Sequence, residues 1–423
     1  MKYLFEGAWQ ETDSKFISAV DESLVRAFER TRAGFGEVLK ELPGVYPGEA
    51  LESIRRLTAQ GNISPDFLKA VLEETKRRRP RRRTKYDEAK GSRLEHPLDF
   101  EWLFSKAAKA RIIDTIDQLA QGRRWTILCM GCPSIFKMGS ELNRHDFRLL
   151  DKNASSWGQL SEAKALTNID LVHDTIPDFQ IDAAIIDPPW YSDFYRLFIW
   201  SALMLARPGA KILISVPQTG TRPSAEQDVA SVLSWCSDGG LTLIDRNRGF
   251  LPYRAPLFEL NALKAQGIHN VPYDWRRGDL LILEKTQLVP ISRPETALAH
   301  NVWRECRSGL VRFKFKEGVE TSLVPVLRPI VRNAVIPSVS TRYPGRGSAN
   351  FVTSGNRFYV ASSAKILAEL CEELSKTSGA QFRLRSPREN HLTTQERMRT
   401  RLQKLFHLEQ KEAETYLAET RDV

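Results

Sequence analysis

From residue 123 onward the chain alternates short, β-branched apolar runs with helical stretches, and few folds accommodate that rhythm. Trp125–Met130, Phe147–Leu150, Leu171-Val172, Ile181–Ile186, Lys211–Val216, Leu241–Ile244 and Leu280–Leu283 read as strands. A helix from Phe194 to Ala206 follows the fourth run, and another, carrying Ile112, Ile113, Ile116 and Leu119, precedes the first. Near-continuous apolar strands separated by helices belong in a largely parallel sheet covered on both faces. The expected class is therefore α/β, with a Rossmann-like sheet of seven strands over residues 96–286.

The flanks read differently. Ala19-Val20, Leu24-Val25, Phe28 and Val38-Leu39 recur at helical intervals, and Ser64-Pro65 resembles an N-cap followed by a first-turn proline. Residues 1–75 are expected to form a helical, winged-helix-like accessory domain. Residues 76–95 follow as a linker or arm, opening on Lys76-Arg77-Arg78-Arg79-Pro80-Arg81-Arg82-Arg83-Thr84-Lys85. Residues 287–423 are expected to form an α+β region. Its features are a strand at Leu310–Phe315, a loop over 339–356, helices over 363–376 and 392–418, and a last helix that projects or binds a protein partner. Oligomeric state is not readable.

A hydrophobic content of 42% supplies a core for two or three domains in 423 residues, and no apolar stretch is long enough to span a bilayer. Met1-Lys2-Tyr3-Leu4-Phe5-Glu6 turns acidic too soon for a secretory signal. Cys129, Cys132, Cys236, Cys306 and Cys371 are an odd, scattered set, with no second pair to complete a zinc site. Reduced thiols, a cytoplasmic location, no membrane and no metal are the expectation. The net charge of +10 is partly concentrated in the 76–85 run. That run is either a solvated linker or an arm for phosphates, with Arg78, Arg79, Arg81 and Arg82 as its contacts.

The run Ile181–Ile186 is closed by Asp187-Pro188-Pro189-Trp190. At a strand's carboxyl end these residues can grip a planar amine. The carboxylate accepts one N–H, and the Pro188 carbonyl, kept out of a helix by Pro189, accepts the other. Trp190 offers a ring for stacking. The same residues also serve as an ordinary strand exit with Trp190 and Tyr191 as core aromatics. Ligands in such sheets lie beyond the strands' carboxyl ends, at the switch in strand order. Gly131-Cys132-Pro133-Ser134 ends the first strand there. Asp151 ends the second, as a ribose ligand or a turn cap. Asp174 follows the third, as an adenine ligand or a loop residue. Tyr253 and Arg254, in a connection over 250–260, would overhang the clamp.

Together these residues resemble class I S-adenosylmethionine-dependent amino-methyltransferases of the N6-adenine type. Within them the chain is similar to the branch of the elongation-factor lysine and zinc-knuckle ribosomal-RNA adenine methyltransferases. The resemblance rests on Gly131-Cys132-Pro133-Ser134 and Asp187-Pro188-Pro189-Trp190 and covers roughly residues 123–286. The zinc knuckles are missing, so substrate grip must come from the chain's own flanks. The resemblance implies a Rossmann-like methyltransferase sheet and S-adenosylmethionine as cofactor. Gly131, Pro133 and Ser134 would hold its methionine end, Asp151 the ribose and Asp174 the adenine. Asp187, Pro188, Pro189 and Trp190 would be catalytic, with Tyr191, Tyr253 and Arg254 on the acceptor side. The implied reaction is methyl transfer to an exocyclic amine, N6 of adenine in RNA or DNA. Methylation of a protein lysine or glutamine and a non-catalytic nucleic-acid-binding scaffold are the alternatives. An aminopropyl transferase also suits the layout but needs a densely acidic pocket, which the residues around 187 do not supply.

Overall fold

The computed structural model describes residues 11–31, 34–77, 94–153, 165–295, 302–318, 326–340, 343–377, 393–421 and 423. Four helices come first: α1 (Glu11–Thr31), α2 (Phe35–Glu41), α3 (Pro47–Ala59) and α4 (Pro65–Lys76). Ser64 caps α4 by accepting the Phe67 N–H at 3.2 Å, with Pro65 at the first helical position. Every element among the described residues of this stretch is a helix, without the strands of a winged helix. Arg78, Arg79, Arg81 and Arg82 lie outside the described residues.

The next part builds one large sheet from β1 (Leu103–Phe104), β2 (Thr126–Met130), β3 (Asp146–Asp151), β4 (Leu166–Asn168), β5 (Ile181–Ile186), β6 (Ala206–Pro217), β7 (Leu241–Arg254) and β8 (Arg277–Lys285). Its helices are α5 (Lys106–Ala120), α6 (Pro133–Leu142), α7 (Ser192–Leu205), α8 (Ala225–Asp238) and α9 (Leu257–Ala265). The strand order is β1-β7-β8-β6-β5-β2-β3-β4. The ladders linking β4, β3, β2, β5 and β6 are parallel, and β8 returns antiparallel between β6 and β7. Alternation along the buried strands loads both faces. Leu128, Met130, Ala184 and Ile186 meet α7 and α8, while Ile127, Cys129, Ala183 and Ile185 meet α5 and α6. This is a Rossmann-like α/β layout, and it carries eight strands where seven were expected. The eighth is β1, two residues pairing Leu103 with Arg254 and Phe104 with Tyr253.

Three expectations need correction. The third strand is not Leu171-Val172, which sits in a turn, but Leu166–Asn168. The sixth expected strand does not stop at Ile244. It runs to Arg254 through two register shifts, so 250–254 is strand rather than a connection. The expected loop over 339–356 contains β12.

A second, antiparallel sheet is formed by β9 (Trp303–Ser308), β10 (Val311–Lys316), β11 (Leu327–Pro329), β12 (Phe351–Thr353) and β13 (Phe358–Ala361), in the order β11-β13-β12-β10-β9. The closing helices are α10 (Ala364–Thr377) and α11 (Thr394–Glu419). The expectation that the last helix projects is not met. Met398, Leu402, Leu405, Phe406, Ala413 and Tyr416 are buried, and the Phe406 ring stacks on Phe313 with centroids 4.1 Å apart. The second sheet and α11 share one apolar core with α1–α4 and α9. Among the described residues no helix is long and apolar enough to cross a membrane.

Arg312 on β10 ties the entry segment to this second sheet. Its side chain, 1% exposed, meets Asp99, Glu101 at 2.7 Å and Glu305 at 2.6 Å. Burial opposes ionisation of Glu305, yet Arg312 overcomes it and brings that carboxyl down to about 2. Arg312→Ala is expected to cost about 3–5 kcal/mol, because it removes the buried cation that three carboxylates share and leaves Lys314 to serve Asp99 and Glu305. Urea unfolding of the variant measures this directly.

Candidate functional site

The chain leaves β2 toward β3 and β4 on one side, then returns through β5 and β6 on the other. The gap between β2 and β5 is therefore the switch point at which such sheets bind ligands. Two sequence features converge there. Gly131, one residue past β2, has φ +69, and a Cβ on it would lie 2.5 Å from the Asp187 carbonyl oxygen. The Asp187 N–H donates to the Met130 carbonyl at 3.0 Å. Glycine thus lets the two strand ends close on each other. Behind them the Cys132 thiol donates to the Ile185 carbonyl at 3.4 Å. Burial and the neighbouring Cys129 push that thiol's pKa far up, so it stays protonated.

The Asp187 carboxyl is fixed by two hydroxyls. Ser215 of β6 and Tyr253 of β7 both donate to its Oδ1, the latter at 2.7 Å. Among the described residues nothing donates to Oδ2, and no backbone N–H reaches the Pro188 carbonyl. Pro189 instead accepts the Tyr191 N–H at 2.7 Å, which turns the chain into α7. Burial pushes the Asp187 carboxyl up, the two hydroxyls pull it only partway back, and it settles at about 7. Tyr253 remains a donor, since burial and Asp187 hold its pKa well above the usual phenol value. The half-buried Trp190 stands edge to face with Tyr253, centroids 5.6 Å apart, over Gly278, where a Cβ would sit 3.2 Å from Cζ2 of the indole.

The other candidate residues scatter more. Asp151 ends β3 beside this gap, with Oδ1 accepting the Asn153 N–H at 2.7 Å. Asp174 is exposed, and its Oδ2 closes a turn onto the Asp170 N–H at 2.7 Å. Pro133 opens α6, and Ser134 borders a cavity of about 90 Å³ together with Lys106, Lys109 and Arg254. Arg254 turns away from the clamp, pairing with Glu95 and lying 5.5 Å from the Tyr416 ring. Tyr191 is 37% exposed and lies edge-on to Phe100, with Arg222 over its ring at 5.7 Å. A second cavity, of about 480 Å³, lies between α5 and β7. Neither cavity borders Asp187, and residues 154–164, which follow Asp151 and Asn153 in the chain, lie outside the described residues.

Reading the sequence for motifs missed Ser215, Phe100 and Arg222. Only Ser215 left a signal: it is the lone hydroxyl in the apolar run Ile212-Leu213-Ile214-Ser215-Val216.

No family model and no curated protein matches the chain. Solved structures of similar fold include the C9 mutein of the branched-chain polyamine synthase from Thermus thermophilus. It is 12% identical, with a TM-score of 0.48, covering 67% of this chain and 96% of that one. The N-methyltransferase NodS from Bradyrhizobium japonicum is 13% identical, with a TM-score of 0.28, covering 45% and 98%. The 1,6-didemethyltoxoflavin-N1-methyltransferase from Burkholderia thailandensis is 15% identical, with a TM-score of 0.28, covering 43% and 80%. At these values the likenesses assign no activity.

Proposed function

We propose that the chain transfers a methyl group from S-adenosylmethionine to an exocyclic amine, N6 of adenine in RNA or DNA. The observation that carries this reading is the Asp187 carboxylate at the switch point, anchored through Oδ1 by Ser215 and Tyr253 with Oδ2 left to accept an N–H. The donor would be held by residues at and beyond the ends of the strands around the switch point. Gly131 allows close backbone approach, Asp151 ends the neighbouring strand, and Pro133, Ser134 and Asp174 complete the proposed set. When bound, the cofactor supplies a methyl group activated by its sulfonium.

Asp187 and the Pro188 carbonyl hold the two amine hydrogens, which pyramidalises the nitrogen and aims its lone pair. Orientation of this kind lowers a barrier by at most about 7–11 kcal/mol. Positive charge grows on the amine nitrogen as it takes up the methyl group, and the Asp187 carboxylate would stabilise it. The surplus proton passes to Asp187 and then to water, a transfer suited to a carboxyl at about 7. Trp190 stacks on the base, which must be unpaired or flipped out.

Since only the ionised carboxylate accepts at Oδ2, kcat/KM is expected to rise with pH through about 7 and level off above it. Asp187→Asn, which cannot ionise, flattens that limb in a pH–rate profile. Folding stability runs the other way. Between the ordinary carboxyl value near ~4 and the folded value the native chain holds an extra proton, so stability falls as pH climbs across that window.

Methyl-labelled S-adenosylmethionine incubated with separate pools of RNA, DNA and cellular protein tests the assignment. Label in nucleic acid supports it. Label confined to protein turns the reading to lysine or glutamine, and no label anywhere leaves a nucleic-acid-binding scaffold.

A further inference from the structure

One step beyond Ser215, a group of polar side chains lacks the partners that its surroundings normally supply. In the β6–β8 ladder Pro217 lies opposite Gly278, so Gln218 and Arg277 share the end of the sheet that carries Asp187. Gly278 underlies Trp190, which sets Arg277 one residue from the clamp. The arginines around it are neutralised: Arg222 by Asp228, Arg246 by Asp279 and Arg276 by Glu259. Arg277 is different. It is half-buried, its Nε is sealed from solvent, and among the described residues it has neither a carboxylate nor a hydrogen bond. Exposed Arg248 is likewise unpaired among the described residues, and it adjoins Gly249, whose Cβ position lies against both Gln218 and Arg277.

Gln218 is 9% exposed, and its Oε1 and the Thr221 Oγ1 are buried without a partner. Two glycines of positive φ frame the group. A Cβ on Gly44 would lie 2.7 Å from Thr221 Oγ1 and 3.1 Å from Gln218 Cβ. One on Gly249 would lie 3.2 Å from Gln218 Nε2 and 4.0 Å from Arg277 Cδ. Native proteins rarely leave several buried polar atoms unmet in one place.

We propose that Arg277, Arg248, Gln218 and Thr221 form a phosphate-binding subsite that seats the acceptor's sugar-phosphate backbone beside the clamp. Guanidinium groups free of carboxylates match phosphate oxygens in charge and geometry. The Thr221 hydroxyl donates as well, and turning the Gln218 amide about its axis points Nε2 where Oε1 now lies. Two nearby acids, Asp228 and Asp279, are already committed to arginines, which reduces their repulsion of a phosphate. The subsite rests on the nucleic-acid reading above, and it fixes strand register while Asp187 and Trp190 handle the base.

The test is binding of a fluorescein-labelled single-stranded RNA of about 12 nucleotides, within the usual site sizes, to the full chain over a range of salt concentrations. Arg277→Gln and Arg248→Gln are each expected to weaken binding and to lower the slope of log K against log salt by about 0.7. The same change is expected with an abasic RNA, which keeps the phosphates. It disappears with a methylphosphonate strand, which lacks the charge. Arg248 is exposed, so its variant keeps the wild-type unfolding midpoint even if Arg277→Gln does not. Wild-type slopes in both variants, alongside methylation of RNA or DNA, overturn the subsite alone. Label passing only to protein overturns the subsite together with the reading beneath it.

Discussion

Asp187→Ala lowers the single-turnover rate of methyl transfer by about 10²–10³-fold, the usual cost of losing one preorganised polar contact to a developing charge. The variant loses the only side-chain oxygen that the clamp offers, and it leaves the Ser215 and Tyr253 hydroxyls without their shared acceptor. Donor binding changes little, because the proposed cofactor residues come from the ends of β2 and β3 and from the turn after β4. The fold tolerates the change at neutral pH and above, since burial already disfavours the charged form of this carboxyl. Asp187→Asn keeps the Ser215 and Tyr253 bonds through its one oxygen but presents an NH2 where Oδ2 accepts, so it is expected to be about as slow as the alanine variant while folding like the wild type. An alanine variant as fast as the wild type would remove the clamp from the mechanism.

The second large effect is expected at Gly131. Gly131→Val forces a β-branched residue to φ +69 and drives its Cβ to within 2.5 Å of the Asp187 carbonyl oxygen. The conformational term alone is about 1–2 kcal/mol, and the overlap is with backbone, which cannot swing aside. The junction between β2 and β5 must open, and a shift near 1 Å at reacting groups costs about 10²-fold in rate. Gly122→Ala is the matched control. Gly122 has φ +79 but nothing within 4 Å of a Cβ, so only the conformational cost applies. Urea midpoints and transfer rates of the two variants side by side isolate the contribution of the close approach.

Strands were legible where burial was complete on both faces. Ile181–Ile186 was bounded correctly because its apolar run is clean and two prolines end it. β4 was misplaced because Leu166-Thr167-Asn168 lies at an exposed edge and carries no apolar signal, whereas Leu171 and Val172 are apolar for packing in a turn. Most of β7 was invisible for a related reason. Asp245, Arg246, Asn247 and Gly249 read as loop chemistry, yet they sit in a bulged antiparallel strand with one face in water. In the candidate site, Asp187 and Gly131 declared themselves through neighbouring residues in sequence. Ser215 and Tyr253 come to Asp187 from 28 and 66 residues away, so only the order of strands brings them there. Arg254 was misjudged as a neighbour of the clamp because alternation along the strand sends it to the face opposite Tyr253.

The loop between α2 and α3 touches the turn that follows β6. The Gly220 N–H donates to the Pro43 carbonyl at 2.8 Å, and a Cβ on Gly220 would strike that carbonyl and Val45. Gly220 follows Ser215 by five residues, and the helices behind Pro43 are welded to the far sheet through a common interior. Whatever grasps the outer flanks of this molecule therefore holds a lever whose short arm ends at the serine that positions Asp187.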